Sequence, residues 1–191
     1  QITGLFEQLG RHWPQFDGFV HSIGFAPREA ISGDFLEGLS REAFRIALDI
    51  SAYSSPAAAK AALPRLRAGS SLLTMTYLGA ERVVPNYNTM GLAKASLEAS
   101  VRYLAQSLGA KGIRVNGISP GAIRTPINTA AWETPAAYED LKKLILYKRI
   151  GEPAELGRCA AWLAGDQSDY IIGQTIYIDG GMALYPGFEG G

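Results

Sequence analysis

The hydrophobic positions of this chain fall into alternating short and long blocks. Ile2, Leu5, Phe6 and Leu9 recur at helical intervals and predict an amphipathic helix over residues 2–13. Asp17-Gly18 then introduces a short strand, Phe19-Val20-His21-Ser22-Ile23-Gly24, and a Gly-, Pro- and Asp-containing loop runs to about residue 39. Ser40, with Glu42 and Ala43 behind it, opens a long helix toward Arg67. The run from Ser70 to Tyr77 is a nearly continuous buried strand of the parallel type. A connector from Gly79 to Pro85 leads into an Ala- and Leu-rich helix over 88–109, closed by Gly109. Residues 113–118 form a third strand that ends in Ser119-Pro120-Gly121. Residues 122–150 read as loop with a short helix, 153–164 as a helix begun at Glu152-Pro153, and 174–179 as a last strand stopped by Gly180-Gly181.

Short β-rich runs alternating with longer helices specify a parallel sheet layered by helices. The order fits the back portion of a doubly wound α/β domain, one domain over 1–191. An intact version would begin with a strand, a glycine-rich turn and a helix. No G-x-G-x-x-G occurs before residue 20, and the chain begins with Gln1. Two front βα units, roughly 60 to 70 residues, are therefore expected to be missing.

Composition narrows the function classes. Eighteen basic and 18 acidic residues cancel, which leaves no electrostatic footprint for nucleic acid or an anionic membrane. No stretch approaches the roughly 20 apolar residues of a membrane span. The single cysteine, Cys159, excludes an internal disulfide and fits a reducing, cytoplasmic setting; its Ala- and Leu-rich surroundings make it a buried helix residue. His12 and His21 have no second ligand at metal spacing, so no metal site is expected. Glu81-Arg82 reads as a surface ion pair, and Asp179 as a turn residue.

Ligands of open α/β sheets bind beyond the carboxyl ends of the strands. Those ends are Ser22-Ile23-Gly24, Tyr77, Ser119-Pro120-Gly121 and Gly180-Gly181, and their glycines allow close backbone approach to a ligand. Tyr77 ends a buried strand; Tyr87 and Lys94 sit at the start of the next helix, seven residues apart. That spacing puts both on one face, roughly 10 Å apart along the axis. An ammonium near a phenol lowers the phenol's pKa from about 10, and a phenol so tuned can donate to a developing oxyanion. From spacing alone, the pair is equally a packing tyrosine beside a solvated lysine.

Three stretches decide between these readings: His21-Ser22-Ile23-Gly24-Phe25-Ala26-Pro27, Pro85-Asn86-Tyr87-Asn88, and Gly91-Leu92-Ala93-Lys94-Ala95-Ser96-Leu97-Glu98. Together they resemble the NADH-dependent bacterial enoyl-acyl-carrier-protein reductases of the short-chain dehydrogenase/reductase superfamily. Six residues separate Tyr87 from Lys94, as in that family. Ordinary short-chain dehydrogenases use Tyr-x-x-x-Lys, whose tyrosine would fall at Met90; they also place a serine near Tyr77 and an asparagine near Ser51. Thr76 stands where the family often has serine.

The resemblance implies a Rossmann-type fold and hydride transfer from NADH, with NADPH as the alternative, to the β-carbon of a trans-2-enoyl thioester carried by acyl carrier protein or CoA. It implies that Tyr87 bonds the thioester oxygen, that Lys94 holds the nicotinamide ribose, and that Tyr77 closes the substrate side. Ser22, Ile23 and Gly24 would line the adenosine and ribose side; Ile123 and Thr125, with Gly121 at the strand end, the nicotinamide and pyrophosphate side. It also implies a homotetramer built on the helices at 40–66 and 88–109, whose small-residue faces alternatively pack only within the monomer.

The back third differs. Residues 119–128, 149–155 and 173–182, with Leu184-Tyr185-Pro186-Gly187-Phe188, look more like an ordinary, glucose-dehydrogenase-like member. Two further hypotheses follow: an ordinary short-chain dehydrogenase acting on a sugar, alcohol or ketone, and an inactive fragment without the glycine-rich cofactor loop.

Overall fold

A computed structural model describes residues 1–184; Tyr185, Pro186, Gly187 and Phe188 of the tail motif lie outside the described residues. Four parallel strands, β1 (Gly18–His21), β2 (Ser71–Met75), β3 (Arg114–Pro120) and β4 (Thr175–Ile178), lie side by side in chain order. Leu72 stands between Phe19 and Val115, and Leu73 between Val20 and Asn116. Because side chains alternate along a strand, this register sends Phe19, Leu72 and Val115 to one face, and Leu73, Met75 and Ile118 to the other.

The first face is covered by α3 (Ser54–Ala62) and α4 (Asn88–Gly109), whose Ala59, Val101, Ala105 and Leu108 pack on Leu72 and Val115. α1 (Ile2–His12) lies outside α3, with Phe6 wedged between Ala58, Ala62, Phe16 and Phe19. The second face receives α6 (Pro153–Ala164), whose Leu163 is fully buried against Leu73 and Ile118. Burying a leucine of this kind stabilises the fold by about 1.5–3 kcal/mol. Cys159 is partly buried in the same cluster, and burial pushes its thiol pKa up.

The crossovers from β1 to β2 and from β2 to β3 place their helices on the first face. The step from β3 to β4 continues in the same direction, yet its helix α6 lies on the second. With the first two in the right-handed sense that parallel crossovers take, the third is left-handed. Side-chain anchors hold it. Arg114, buried at the start of β3, donates to the carbonyls of Leu163, Gly165 and Ser168 and to Ser168 Oγ. Ser71 Oγ donates to Leu163 O as well. The open carbonyls at the C-terminus of α6 thus meet a cation, which the helix dipole favours.

The predicted helix from 40 to 67 is one path with a break in its winding. Ser40 Oγ accepts from Ala43 N and caps α2 (Arg41–Leu48). A π-helical turn, Asp49–Tyr53, then joins α2 to α3. α2 and α3 pack against α4 within the monomer, while Tyr103 on the outer side of α4 is 79% exposed. Residues 122–150 hold more structure than expected: a 3-10 helix, Pro126–Ala131, and α5 (Pro135–Lys143), capped by Thr134.

Candidate active site

With all strands parallel, their carboxyl ends share one edge of the sheet, and a cavity of about 720 Å³ opens there. Its wall includes the candidate catalytic and cofactor-binding residues: Ser22, Ile23 and Gly24 after β1, Tyr77 after β2, Gly121, Ile123 and Thr125 after β3, and Tyr87 and Lys94 on the turn and first coils of α4; the strand end Gly180-Gly181 lines a separate cavity instead. The sequence alone did not single out Ala26, Met75, Met90, Ile127, Trp132 or Met182, which complete a largely apolar lining. They lack chemistry of their own, and only the fold brings them together.

Tyr77 and Tyr87 meet edge to face, ring centroids 4.9 Å apart and planes at 64°. Two glycines make room for them. A Cβ on Gly79 would stand 2.7 Å from Tyr87 Cε1, and one on Gly91 2.8 Å from Gly79 O, below the usual 3.5–4.0 Å of carbon contacts. Lys94 is buried and donates to Met75 O at 2.7 Å. Burial lowers its pKa to about 8, against the opposing pull of the Glu98 carboxylate. Glu98, one turn further on, accepts from Thr76 Oγ1 at 2.7 Å.

One electrostatic expectation is corrected. Lys94 does not lower the Tyr87 pKa; burial raises it, and the neighbouring Tyr77 adds to the rise. One of the ammonium's donors goes to the Met75 carbonyl, and desolvating a phenolate costs more than the cation returns. Tyr87 is therefore a neutral hydroxyl, a donor throughout the physiological range. Burial likewise raises the Tyr77 pKa.

The strand-end glycines differ in purpose. Gly24 leaves open the space toward Lys94 Nζ, 3.6 Å from where its Cβ would lie. Gly121 instead lets β3 pass Asp179, whose Cα would be 2.6 Å from a Cβ there. Ser51, in the π-helical turn, both accepts from Phe25 N (2.8 Å) and donates to Phe25 O (2.9 Å), fixing the wall after β1. Met90 packs with Ala26, Ala47 and Ala93, so no hydroxyl stands at the position of an ordinary dehydrogenase tyrosine.

His21 is held between Thr74 Oγ1 (3.1 Å) and Ser54 Oγ (2.8 Å), and burial lowers its pKa; it ties β1 to β2 and α3. Glu81 makes no ion pair with Arg82 among the described residues, and its charge acts on Glu98 and Tyr177 instead. Asp179 is a turn residue, its carboxylate accepting from Gly181 N and Ala183 N. Among the described residues no group of three His, Cys, Asp or Glu could hold a metal, and no helix is long and apolar enough to cross a membrane.

The cavity suits a nicotinamide ribose. Lys94 has two of its three ammonium donors left after Met75 O, and the missing Gly24 side chain leaves that ammonium accessible. The buried Trp132 Nε1 has no partner.

Residues 1–183 match the family model described as Enoyl-(Acyl carrier protein) reductase, a span that includes the segment whose motifs resemble ordinary dehydrogenases. The chain is 48% identical over 190 residues to the NADH-dependent enoyl-acyl-carrier-protein reductase of Escherichia coli, covering 96% of this chain and 70% of the relative. It is 49% identical over 192 residues to that of Neisseria meningitidis serogroup B, covering 96% and 71%. The enoyl-acyl-carrier-protein reductase (NADH) of Aquifex aeolicus superposes with a TM-score of 0.88 at 35% identity, over 97% of this chain and 72% of that one. The Bacillus cereus enoyl-acyl carrier protein reductase, solved with NADP+ and indole naphthyridinone, also gives 0.88, at 40% identity over 96% and 71%.

Proposed function

This chain belongs to the enoyl-acyl-carrier-protein reductase family, and on that premise we propose that it reduces the α,β-double bond of a trans-2-enoyl thioester with NADH. The observation that carries the reading is the shared cavity, in which a neutral phenol, a buried ammonium and a largely apolar wall stand together. Reduced nicotinamide, when bound, supplies the hydride that adds to the β-carbon.

The protein's own residues do the rest. Tyr87, kept protonated by burial, donates a hydrogen bond to the thioester oxygen and stabilises the enolate as negative charge gathers there; a solvent proton taken up at the α-carbon completes the reduction. A neutral donor suits this task, since an ionised phenol would repel the developing charge. Lys94 offers its free ammonium donors to the ribose hydroxyls and fixes the cofactor's depth in the cavity. Tyr77 supports the Tyr87 ring edge-on and closes the substrate side. Ser22, Ile23 and Gly24 line the adenosine and ribose side; Gly121, Ile123 and Thr125 line the nicotinamide and pyrophosphate side. The thioester arrives on acyl carrier protein, the enzyme works in the cytoplasm as one dinucleotide-binding domain, and four copies associate through the outer faces of α2 to α4, where Tyr53 and Tyr103 are exposed.

The test is the loss of NADH absorbance on adding crotonyl or longer enoyl thioesters, with Tyr87→Phe alongside. Thioester-dependent oxidation slowed at least about 100-fold by the variant, the usual worth of one oxyanion donor, is expected. Oxidation unaffected by Tyr87→Phe would remove the assignment.

A further inference from the structure

The two residues that flank Tyr87 share a conformation that side-chain-bearing residues seldom adopt. Asn86 has φ 62° and Asn88 φ 41°, both left-handed. Their side chains converge on a single residue more than 50 positions earlier. Gly33 N donates to Asn86 Oδ1 at 3.0 Å, and Asn88 Nδ2 donates to Gly33 O at 3.1 Å. Gly33 is itself left-handed, with φ 67°. The partners dictate each amide's orientation, because a peptide N–H needs the carbonyl oxygen and a peptide carbonyl needs the NH2. Asparagine is the side-chain-bearing residue that best tolerates this backbone region. Two such residues around one tyrosine persist only where the surroundings over-determine them.

We propose that Asn86 and Asn88 form a clamp on Gly33 that positions Tyr87, making both asparagines positioning residues for the reaction. The inference rests on the assignment of Tyr87 as oxyanion donor. The turn that carries Tyr87 is closed by single backbone bonds, Tyr87 N to Val84 O and Met90 N to Tyr87 O, and precedes α4 at Asn88, so a tie to another segment adds to its hold. The Gly33 loop supplies that tie, and it continues the same segment whose Phe25, Ala26 and Ile31 line the cavity. Ser51 pins that segment at one end through Phe25, and the clamp pins it at the other. The cavity wall and the phenol are thereby held in one frame.

Amide-to-acid replacements separate positioning from general stability, because the two arms of the clamp need opposite chemistry. Asn86 serves as acceptor, so Asn86→Asp keeps its bond while Asn86→Gly keeps only the backbone conformation. Asn88 serves as donor, so Asn88→Asp and Asn88→Gly both lose it. The readouts are kcat with a saturating enoyl thioester, NADH dissociation constant by fluorescence quenching, and thermal midpoint, with Tyr87→Phe in parallel. Asn88→Asp and Asn88→Gly are expected to lower kcat about tenfold or more, as misplaced reacting groups do, with NADH binding unchanged. Asn86→Asp is expected to retain several-fold more kcat than Asn86→Gly. Asn88→Asp within twofold of the parent while Tyr87→Phe is impaired overturns the clamp alone. Asn86→Asp no better than Asn86→Gly, or losses that follow the thermal midpoint rather than this acid–amide pattern, overturn it too. Full activity in Tyr87→Phe removes the premise and the clamp with it.

Discussion

Gly79 packs against the Tyr87 ring with no room for a side chain, and Gly79→Ala puts that contact to the test. The added methyl would stand 2.7 Å from Tyr87 Cε1 and 3.4 Å from Tyr77 Cδ1. Carbon atoms settle at about 3.5–4.0 Å, so the Tyr87 ring must retreat by about 1 Å. It cannot swing the other way freely, because Tyr77 stacks on its edge at 4.9 Å. Overpacking of this size costs about 1–3 kcal/mol in stability, a loss that leaves most domains folded. A displacement of about 1 Å at a reacting group costs on the order of 100-fold in rate. Gly79→Ala should therefore stay folded by circular dichroism and bind NADH normally, yet oxidise it about 100-fold more slowly with enoyl thioester. Steady-state rates, fluorescence titration and a melting curve on the same preparation check all three. A kcat within threefold of the parent would refute the reasoning, since the phenol's position would then not limit the reaction.

Three further outcomes follow from the same geometry. Burial brings the Lys94 pKa down from 10.5 to about 8, so its charge is full well below that value and is lost as pH rises through it; NADH binding should weaken between pH 7 and 9 in titrations, and Lys94→Ala should bind weakly with that pH dependence flattened. Arg114→Ala leaves the carbonyls of Leu163, Gly165 and Ser168 without their buried cation and should cost about 3 kcal/mol in urea unfolding; Arg114→Lys should recover part of it, having fewer donors to share. Leu163→Ala empties a fully buried site between β2 and β3 and should cost about 2–5 kcal/mol by the same measurement, with no change in NADH affinity.

How much of this was legible in the sequence depended on whether the cause was local. The helix over 88–109 agrees end to end with α4 (Asn88–Gly109), because a long apolar period and a closing glycine are both written nearby. The four strands were found for the same reason. The π-helical turn was not, since Asp49 to Tyr53 contains neither glycine nor proline to mark a break. That the candidate site residues share one cavity was legible through the spacing of Tyr87 and Lys94 and through the resemblance of three short stretches to a known family. What those residues feel was not legible. The direction of the Tyr87 pKa depends on its burial and on the neighbouring Tyr77, which only the fold sets. The Gly33 clamp and the Ser51–Phe25 pair span 53–55 and 26 positions, and polar side chains in loops advertise no distant partner. The strand end made Gly121 legible as a cavity residue, but not its close packing on Asp179, which lies at another strand end.

The π-helical turn also keeps two parts of the chain in phase. Such a turn accommodates one residue more than the α-helical path would, and each helical residue advances the winding by roughly 100°. Winding the same residues from Asp49 to Tyr53 as an ordinary α-helix would rotate everything after them by that angle. The small-residue side of α3, Ala58, Ala59 and Ala62, would leave Phe6 and Leu72 and face solvent. Keeping α3 seated would instead turn Ser51 away from Phe25. The π-helical winding thus acts as a phase adjuster between the cavity wall and the core.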